Sequence, residues 1–178
     1  MCSSTKMNKK MNVAYIALGG NLSNPETTFR QAAIEIKRLK IEIRGISSLW
    51  HSPAWPADSG HPDYINAALK VKTSLTAKDL LNRLHELEAQ FGRKRSVLNA
   101  PRTLDLDIID FAGQVSANDP VLPHPRAQLR PFVLLPLSEI GPSWKHPVLT
   151  KTAFELLAEL PSSDVLDHAV IKRNWLES

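Results

Sequence analysis

From Tyr64 onward the side chains alternate with period two. Ile65, Ala67, Leu69 and Val71 fall on one side, and Tyr64, Asn66, Ala68 and Lys70 on the other. Only an extended strand places i and i+2 on a common face, so this segment predicts a strand with one apolar face and one mixed face. What surrounds it limits the fold. Val13 to Leu18 is a short apolar run ended by Gly19-Gly20, the pattern of a strand buried on both sides. Asn24 as cap, Pro25 at the first helical position and Glu26 in the first turn predict a helix start, and Phe29, Ala32, Ala33, Ile36 and Leu39 follow at helical spacing. Ile41, Ile43, Gly45 and the run to Leu49 predict a second strand, and the alternating segment from Tyr64 is the third. Thr76 with Asp79 resembles a capping box. Leu80, Leu81, Leu84, Leu87 and Phe91 then form a stripe that stops at Gly92, giving a helix over roughly 77–91. Leu104 to Phe111 predicts a fourth strand. The order strand, helix, strand, strand, helix, strand is that of an α+β ferredoxin-like sandwich, with both helices on one face of an antiparallel sheet. Additions follow at the C-terminal end: a Pro-rich passage, a short helix around 126–135 and another over Phe154 to Leu160.

A chain of 178 residues fits one domain. Residues 11–178 are expected to form it, with a polar, frayed extension over 1–10 and a tail after about 150 that receives no role. Thirteen prolines against seven glycines exclude long uninterrupted helices and helical repeats. The single cysteine, Cys2, excludes an internal disulfide and a Cys-rich zinc site, which suits a reducing, cytoplasmic setting. Lys9-Lys10 before Val13–Leu18 imitates a secretion signal, but the apolar run stops below the ~7–15 residues that a signal needs. No stretch approaches the ~20 apolar residues of a membrane span. The net charge of +4 suits a phosphorylated small ligand better than a nucleic-acid track.

The chemistry concentrates in Pro101-Arg102-Thr103-Leu104-Asp105-Leu106-Asp107. On a strand, Asp105 and Asp107 point the same way while Leu104, Leu106 and Ile108 enter the core. Two carboxylates within ~7 Å repel unless a cation bridges them, and Mg²⁺ is a natural bridge because it takes a few carboxylates plus phosphate oxygens. A solvent-facing Asp-x-Asp on an edge strand would give the same pattern. Just upstream stand Arg93, Lys94, Arg95 and Arg102, whose charges suit the oxygens of a metal-bound nucleoside triphosphate. A solvated loop or an RNA-binding patch would also use such charges, although no aromatic pair sits on the central strands as an RNA-recognition sheet requires. Tyr64 and Asn66 share a strand face at the exit of a stiff loop containing Trp50, Pro53 and Trp55, a setting for a flat heterocycle: rings stack, and an amide both donates and accepts. Gly19-Gly20-Asn21 would let backbone approach such a ligand, and it is neither a P-loop nor a dinucleotide fingerprint. Pro123-His124-Pro125-Arg126 and Arg130-Pro131-Phe132 add a His, two Args and a ring. The remaining histidines, His51, His61, His85, His146 and His168, show no metal-ligand spacing and are expected at the surface or in loops.

Gly19-Gly20-Asn21-Leu22, Pro62-Asp63-Tyr64-Ile65-Asn66-Ala67, Glu88 with Gly92-Arg93, the Pro101–Asp107 block and Pro123-His124 together closely resemble the 6-hydroxymethyl-7,8-dihydropterin pyrophosphokinases of folate biosynthesis. The likeness covers roughly 12–147, and its Pro-Arg-Thr-Leu-Asp-Leu-Asp block is very specific. It implies a ferredoxin-like enzyme that transfers pyrophosphate from ATP to the pterin hydroxymethyl group and leaves AMP; beyond these two substrates no nucleic-acid or membrane partner is expected, and the protein is expected to be a monomer. It also implies two Mg²⁺ ions held by Asp105 and Asp107. Arg93 and Arg102 match catalytic arginines, and Glu88, Arg95, His124 and Arg130 match ATP contacts. Ser52, Pro53, Trp55 and Asn66 match pterin contacts, with Tyr64 and Phe132 matching the rings that sandwich the pterin. The chain departs from the pattern at Leu98-Asn99-Ala100, where a basic residue, an aromatic and a glycine can occur, at Pro125, which replaces an aromatic, and at His85, which stands where a Gln can meet the nucleotide. The alternative from another class is a ferredoxin-like RNA- or nucleotide-binding module without catalysis.

Overall fold

Strand β1 (Asn12–Gly20) is apolar on both faces because it runs between two cores. Ala14, Ile16 and Leu18 enter one cluster, and Tyr15 with the half-buried Ala17 faces another. The structure is a computed structural model that describes residues 10–54, 60–93 and 101–176; the expected extension over 1–10 falls outside these except for Lys10.

Helix α1 (Pro25–Arg38) begins as its residues dictate: the Asn24 side chain accepts the Thr27 N–H at 3.1 Å, and Glu26 and Lys37/Arg38 complement the two ends of the helix dipole. Phe29, Ala32, Ala33 and Ile36 are buried, whereas Leu39 is the C-cap and is exposed, so the stripe ends one turn sooner than the spacing suggests. The expected second strand is two strands, β2 (Glu42–Ile46) and β3 (Leu49–Ser52). The interruption has a local cause. A register shift between Ile43 and Gly45 precedes Ser47, whose N–H donates to the Ala68 carbonyl at 3.0 Å and whose hydroxyl accepts the Ala68 N–H at 2.8 Å, replacing the regular ladder. Trp50, expected in a loop, is therefore a strand residue. Strand β4 (Tyr64–Thr73) follows, then α2 (Ala77–Gln90), capped by Thr76 and closed by Gly92 at φ +79°, and β5 (Asp105–Phe111).

The sheet is antiparallel in the order β5-β1-β4-β3, with β2 also paired to β4. This is the ferredoxin-like arrangement, its second strand broken in two. Helices α1 and α2 share one face, where Phe29, Ile36, Leu80 and Leu84 meet Ile16, Leu18, Leu69 and Leu106.

The C-terminal additions do more than the sequence indicates. A 3₁₀ turn (Ala127–Leu129) leads to α3 (Pro131–Ile140), which is shifted from the expected 126–135 and runs through Pro136. Burial of Val133, Leu134, Pro136 and Leu137 outweighs the one backbone bond that proline removes. Helix α4 (Ala153–Ala158) packs beside α3 through Ala153 and Leu156, leaving Phe154 exposed. Together with Tyr15, Ile109 and Trp144 these helices form a second core on the opposite face of the sheet. His146, expected near the surface, is only 5% exposed, and its Nδ1 accepts the Val148 and Leu149 N–H groups. After a short α5 (Ser162–Leu166), β6 (Ala169–Lys172) pairs with the outer edge of β3. Trp175 then inserts into the first core with 0% exposure. It packs edge-on against Phe29 and donates its indole N–H to the Ser47 carbonyl at 2.8 Å, while Arg30 holds the Trp175 carbonyl. The tail after 150 is thus part of both the sheet and the core. Among the described residues no helix is long and apolar enough to cross a membrane.

Candidate active site

The second core ends along the sheet near Ala17, and beyond it the same face carries polar groups. Antiparallel register aligns Asp105 of β5, Gly19 of β1, Asn66 of β4 and Trp50 of β3 in one row, with Asp107, Ala17 and Ala68 in the next. Directly paired residues share a face, so the carboxylates lie two strands, about 10 Å, from the Asn66 amide. Only small side chains stand between. A Cβ at Gly19 would sit 3.5 Å from the Asn66 Oδ1 and 3.8 Å from the Asp105 Cβ, so any larger residue there would fill the floor that joins the two ends.

At the acidic end the Asp105 and Asp107 side chains are 19% and 43% exposed. Arg102 Nη1 donates to Asp105 Oδ2 at 2.7 Å, and Arg93 pairs with both Asp105 and Glu88. Burial by itself raises the Asp105 pKa, but Arg93 and Arg102 overturn that and hold it below the ordinary carboxylate range. Asp107 goes the other way, raised by burial and then by the charge of Asp105. Among the described residues His124 approaches it, Nε2 to Oδ2 3.9 Å, and burial keeps that imidazole's pKa below its usual value, which favours its neutral form. Burial also lowers the Arg130 pKa, with Arg126 adding like charge, and the Arg130 guanidinium sits over the Phe132 ring, 5.5 Å from its centroid. Two carboxylates on one strand face form an all-oxygen donor set. Among the described residues no group of three or more His, Cys, Asp or Glu gathers for a metal. That set fits Mg²⁺, which keeps several waters and takes phosphate oxygens for its remaining positions, better than an ion needing a full protein cage.

Glu88 lies at the back of this end. Its side chain is 1% exposed, and Oε1 accepts the Leu106 N–H at 2.7 Å on the outer edge of β5 as well as the Arg93 guanidinium. Buried there, it reaches the site through Arg93.

At the other end the Asn66 amide donates to the Ser52 hydroxyl at 2.7 Å, both residues being buried. Tyr64 pairs with Ser52 in the ladder and lies two residues before Asn66, on the same strand face. Pro53 is exposed where the chain leaves β3. Trp55 and Arg95, both singled out in the sequence, lie outside the described residues.

Three features of this end escape sequence reading. Asp63 ties the end of β3 to the start of β4: Oδ1 accepts the Ala54 N–H at 2.9 Å, and Oδ2 meets His51 Nε2 at 2.8 Å. An Asp following proline just before a strand is the signal that could have marked it, since such residues close turns. Glu139 of α3 accepts the Ser48 N–H and hydroxyl, each at 2.9 Å, and also the Trp50 indole N–H, pinning the junction of β2 and β3. Asn21, noted in the sequence for its backbone, engages two loops with its side chain.

Comparison with known proteins finds relatives of the chain. A family model described as 7,8-dihydro-6-hydroxymethylpterin-pyrophosphokinase (HPPK) matches residues 15–142. A 2-amino-4-hydroxy-6-hydroxymethyldihydropteridine pyrophosphokinase of Synechocystis is 36% identical over 165 residues, covering 92% of this chain and 84% of that protein. The Bacillus subtilis protein of the same name is 39% identical over 132 residues, covering 72% and 78%. Among solved structures, a Plasmodium falciparum HPPK-DHPS superposes with a TM-score of 0.65 at 14% identity, a likeness of fold alone that covers 84% of this chain. The chain spans 45% of that longer protein. With the Pro101–Asp107 block at the acid pair and a family match over most of the chain, the protein belongs to the 7,8-dihydro-6-hydroxymethylpterin-pyrophosphokinase family.

Proposed function

We propose that this site transfers pyrophosphate from ATP to the hydroxymethyl group of 6-hydroxymethyl-7,8-dihydropterin, releasing AMP, as a step of folate synthesis. The observation that carries the reading is the single sheet face on which the Arg-lined carboxylates and the Asn66–Ser52 pair face each other across Gly19. One end suits a metal-bound triphosphate, and the other a flat heterocycle with an amide edge.

Asp105 and Asp107 hold two Mg²⁺ ions together with the ATP phosphates. When bound, Mg²⁺ screens phosphate charge and polarises the phosphoryl oxygens. Arg93 and Arg102 are fixed beside the carboxylates and stabilise charge on the transferred and leaving groups, with Glu88 holding Arg93 in place. Glu88, Arg95, His124 and Arg130 serve the nucleotide, Glu88 acting through Arg93. Ser52, Pro53, Trp55 and Asn66 bind the pterin, whose faces lie against Tyr64 and Phe132. Preorganised donors of this kind act because they need no rearrangement as charge develops. The protein works as a cytoplasmic monomer, residues 11–178 forming one domain, with no nucleic-acid partner. Incubation with ATP, Mg²⁺ and 6-hydroxymethyl-7,8-dihydropterin tests the reading: AMP and the pyrophosphorylated pterin are the expected products. Release of ADP, or no pterin-dependent turnover, overturns it.

A further inference from the structure

Asn21 is 5% exposed and follows the last residue of β1. Its Nδ2 donates to the Pro62 carbonyl at 3.0 Å, and its Oδ1 accepts the Arg102 N–H at 2.9 Å. Its own N–H, and that of Leu22, donate to the Arg102 carbonyl at 3.0 and 3.3 Å. One amide therefore grips two segments that are remote in sequence. Pro62 stands two residues before Tyr64 and beside Asp63, which ties the end of β3 to the start of β4. Arg102 and Asp105 lie on the other segment, joined to each other at 2.7 Å. The preceding residue makes the grip possible: a Cβ at Gly20 would lie 2.6 Å from the Thr103 carbonyl, so only glycine lets the approach to β5 lie this close to β1.

The geometry points to Asn21 as the positioning residue that fixes the pterin-side segment relative to the phosphate-side segment, so that acceptor and donor meet in register. The inference rests on the function proposed above. Asn is suited because its amide presents a donor and an acceptor from one rigid plane, and here each is used on a different segment. An in-line transfer depends on near-attack placement, where a misplacement near 1 Å costs about 10²-fold in rate. Each half of the site has its own internal bonds, Asn66 to Ser52 on one side and Arg102 to Asp105 on the other. Loss of the amide should therefore leave each substrate's binding nearly intact and slow the chemistry between them.

Asn21→Asp keeps the acceptor facing the Arg102 N–H and removes the donor facing Pro62. Asn21→Ser is short and uncharged, and guards against a buried carboxylate unfolding the chain. For each variant, single-turnover AMP formation is measured beside the separate affinities for Mg²⁺–ATP analogue and for the pterin, with a thermal melt as the test of folding. The expected result is a cooperative melt, both affinities within about threefold of the parent, and a single-turnover rate lowered by tenfold to about 10²-fold. A folded variant with an unchanged single-turnover rate overturns the proposal, and so does a loss confined to one substrate's affinity. If both variants only unfold, Asn21 is a folding residue and the proposal is again overturned. A parent protein that forms no AMP is a separate result: it refutes the function on which the inference rests.

Discussion

Replacing Trp175 with alanine should come near to unfolding the protein, although the residue is far from the acidic pair in sequence and no catalytic role falls to it. Among the described residues its side chain is the largest of those fully buried; it packs against Phe29 and contributes to the core between the sheet and α1. Truncating a buried Trp to Ala removes about 3–5 kcal/mol. The indole N–H also satisfies the Ser47 carbonyl, and leaving that group unpaired costs about 1–3 kcal/mol more where water cannot reach it. Partial relaxation trims these figures, so a loss of about 4–6 kcal/mol is expected, against a total stability of about 5–15 kcal/mol for a domain. At about 2–4 °C per kcal/mol for a chain of this size, the melting midpoint should fall by about 10–20 °C. Trp175→Phe keeps a ring against Phe29 and loses the N–H, so about 1–2 kcal/mol is expected. The assay is urea unfolding followed by far-UV circular dichroism, since the mutation itself changes tryptophan fluorescence. The m-value should stay constant if only the native state is affected. A Trp175→Ala loss below about 1 kcal/mol, or a Trp175→Phe loss equal to that of alanine, would refute the reasoning that this side chain locks the tail into the core.

Two further outcomes follow from the site. Asp107→Asn should abolish AMP formation while leaving the melting temperature unchanged or slightly higher, because it removes a half-exposed anion that stands beside the charged Asp105. A variant that retains turnover, or that is clearly less stable, would contradict the assignment. Asp63 should lend the protein a pH-dependent stability. The Ala54 N–H and then His51 lower its pKa in the folded state, so its contribution is fully present above the ordinary value of 3.8 and is lost as the pH falls through the lowered folded value. The stability difference between the parent and Asp63→Asn should accordingly shrink as the pH falls below about 4; a difference that grows below that pH would refute the sign.

Much of this is written locally. The period-two run from Tyr64, the caps Asn24 and Thr76, the stop at Gly92 and the i, i+2 spacing of Asp105 and Asp107 each concern residues a few positions apart, where backbone geometry ties spacing to direction. Hence the ferredoxin-like core and the acidic pair are legible in the sequence, and the resemblance carried by Pro101–Asp107 points to the family that the comparisons show. The break between β2 and β3, the passage of α3 through Pro136 and the burial of His146 are not legible in this way. Each depends on what lies opposite in space: Ala68 and Glu139 at the Ser47-Ser48 junction, the second core beneath Pro136, the backbone of Val148 and Leu149 around His146.

The sequence by itself determined the strands and helices of the ferredoxin-like core apart from the break in its second strand, which face of each is apolar, and that two carboxylates would stand together beside a run of cations. The tertiary structure alone decided that β6 and Trp175 complete the sheet and core, that Glu88 supports Arg93 from behind, and that Asn21 joins two loops separated from it by 41 and 81 residues. The physical reason is one of range. Propensity and periodicity act between near neighbours, whereas the partner of a buried hydrogen-bonding group is set only when the folded chain brings distant backbone within about 3 Å of it.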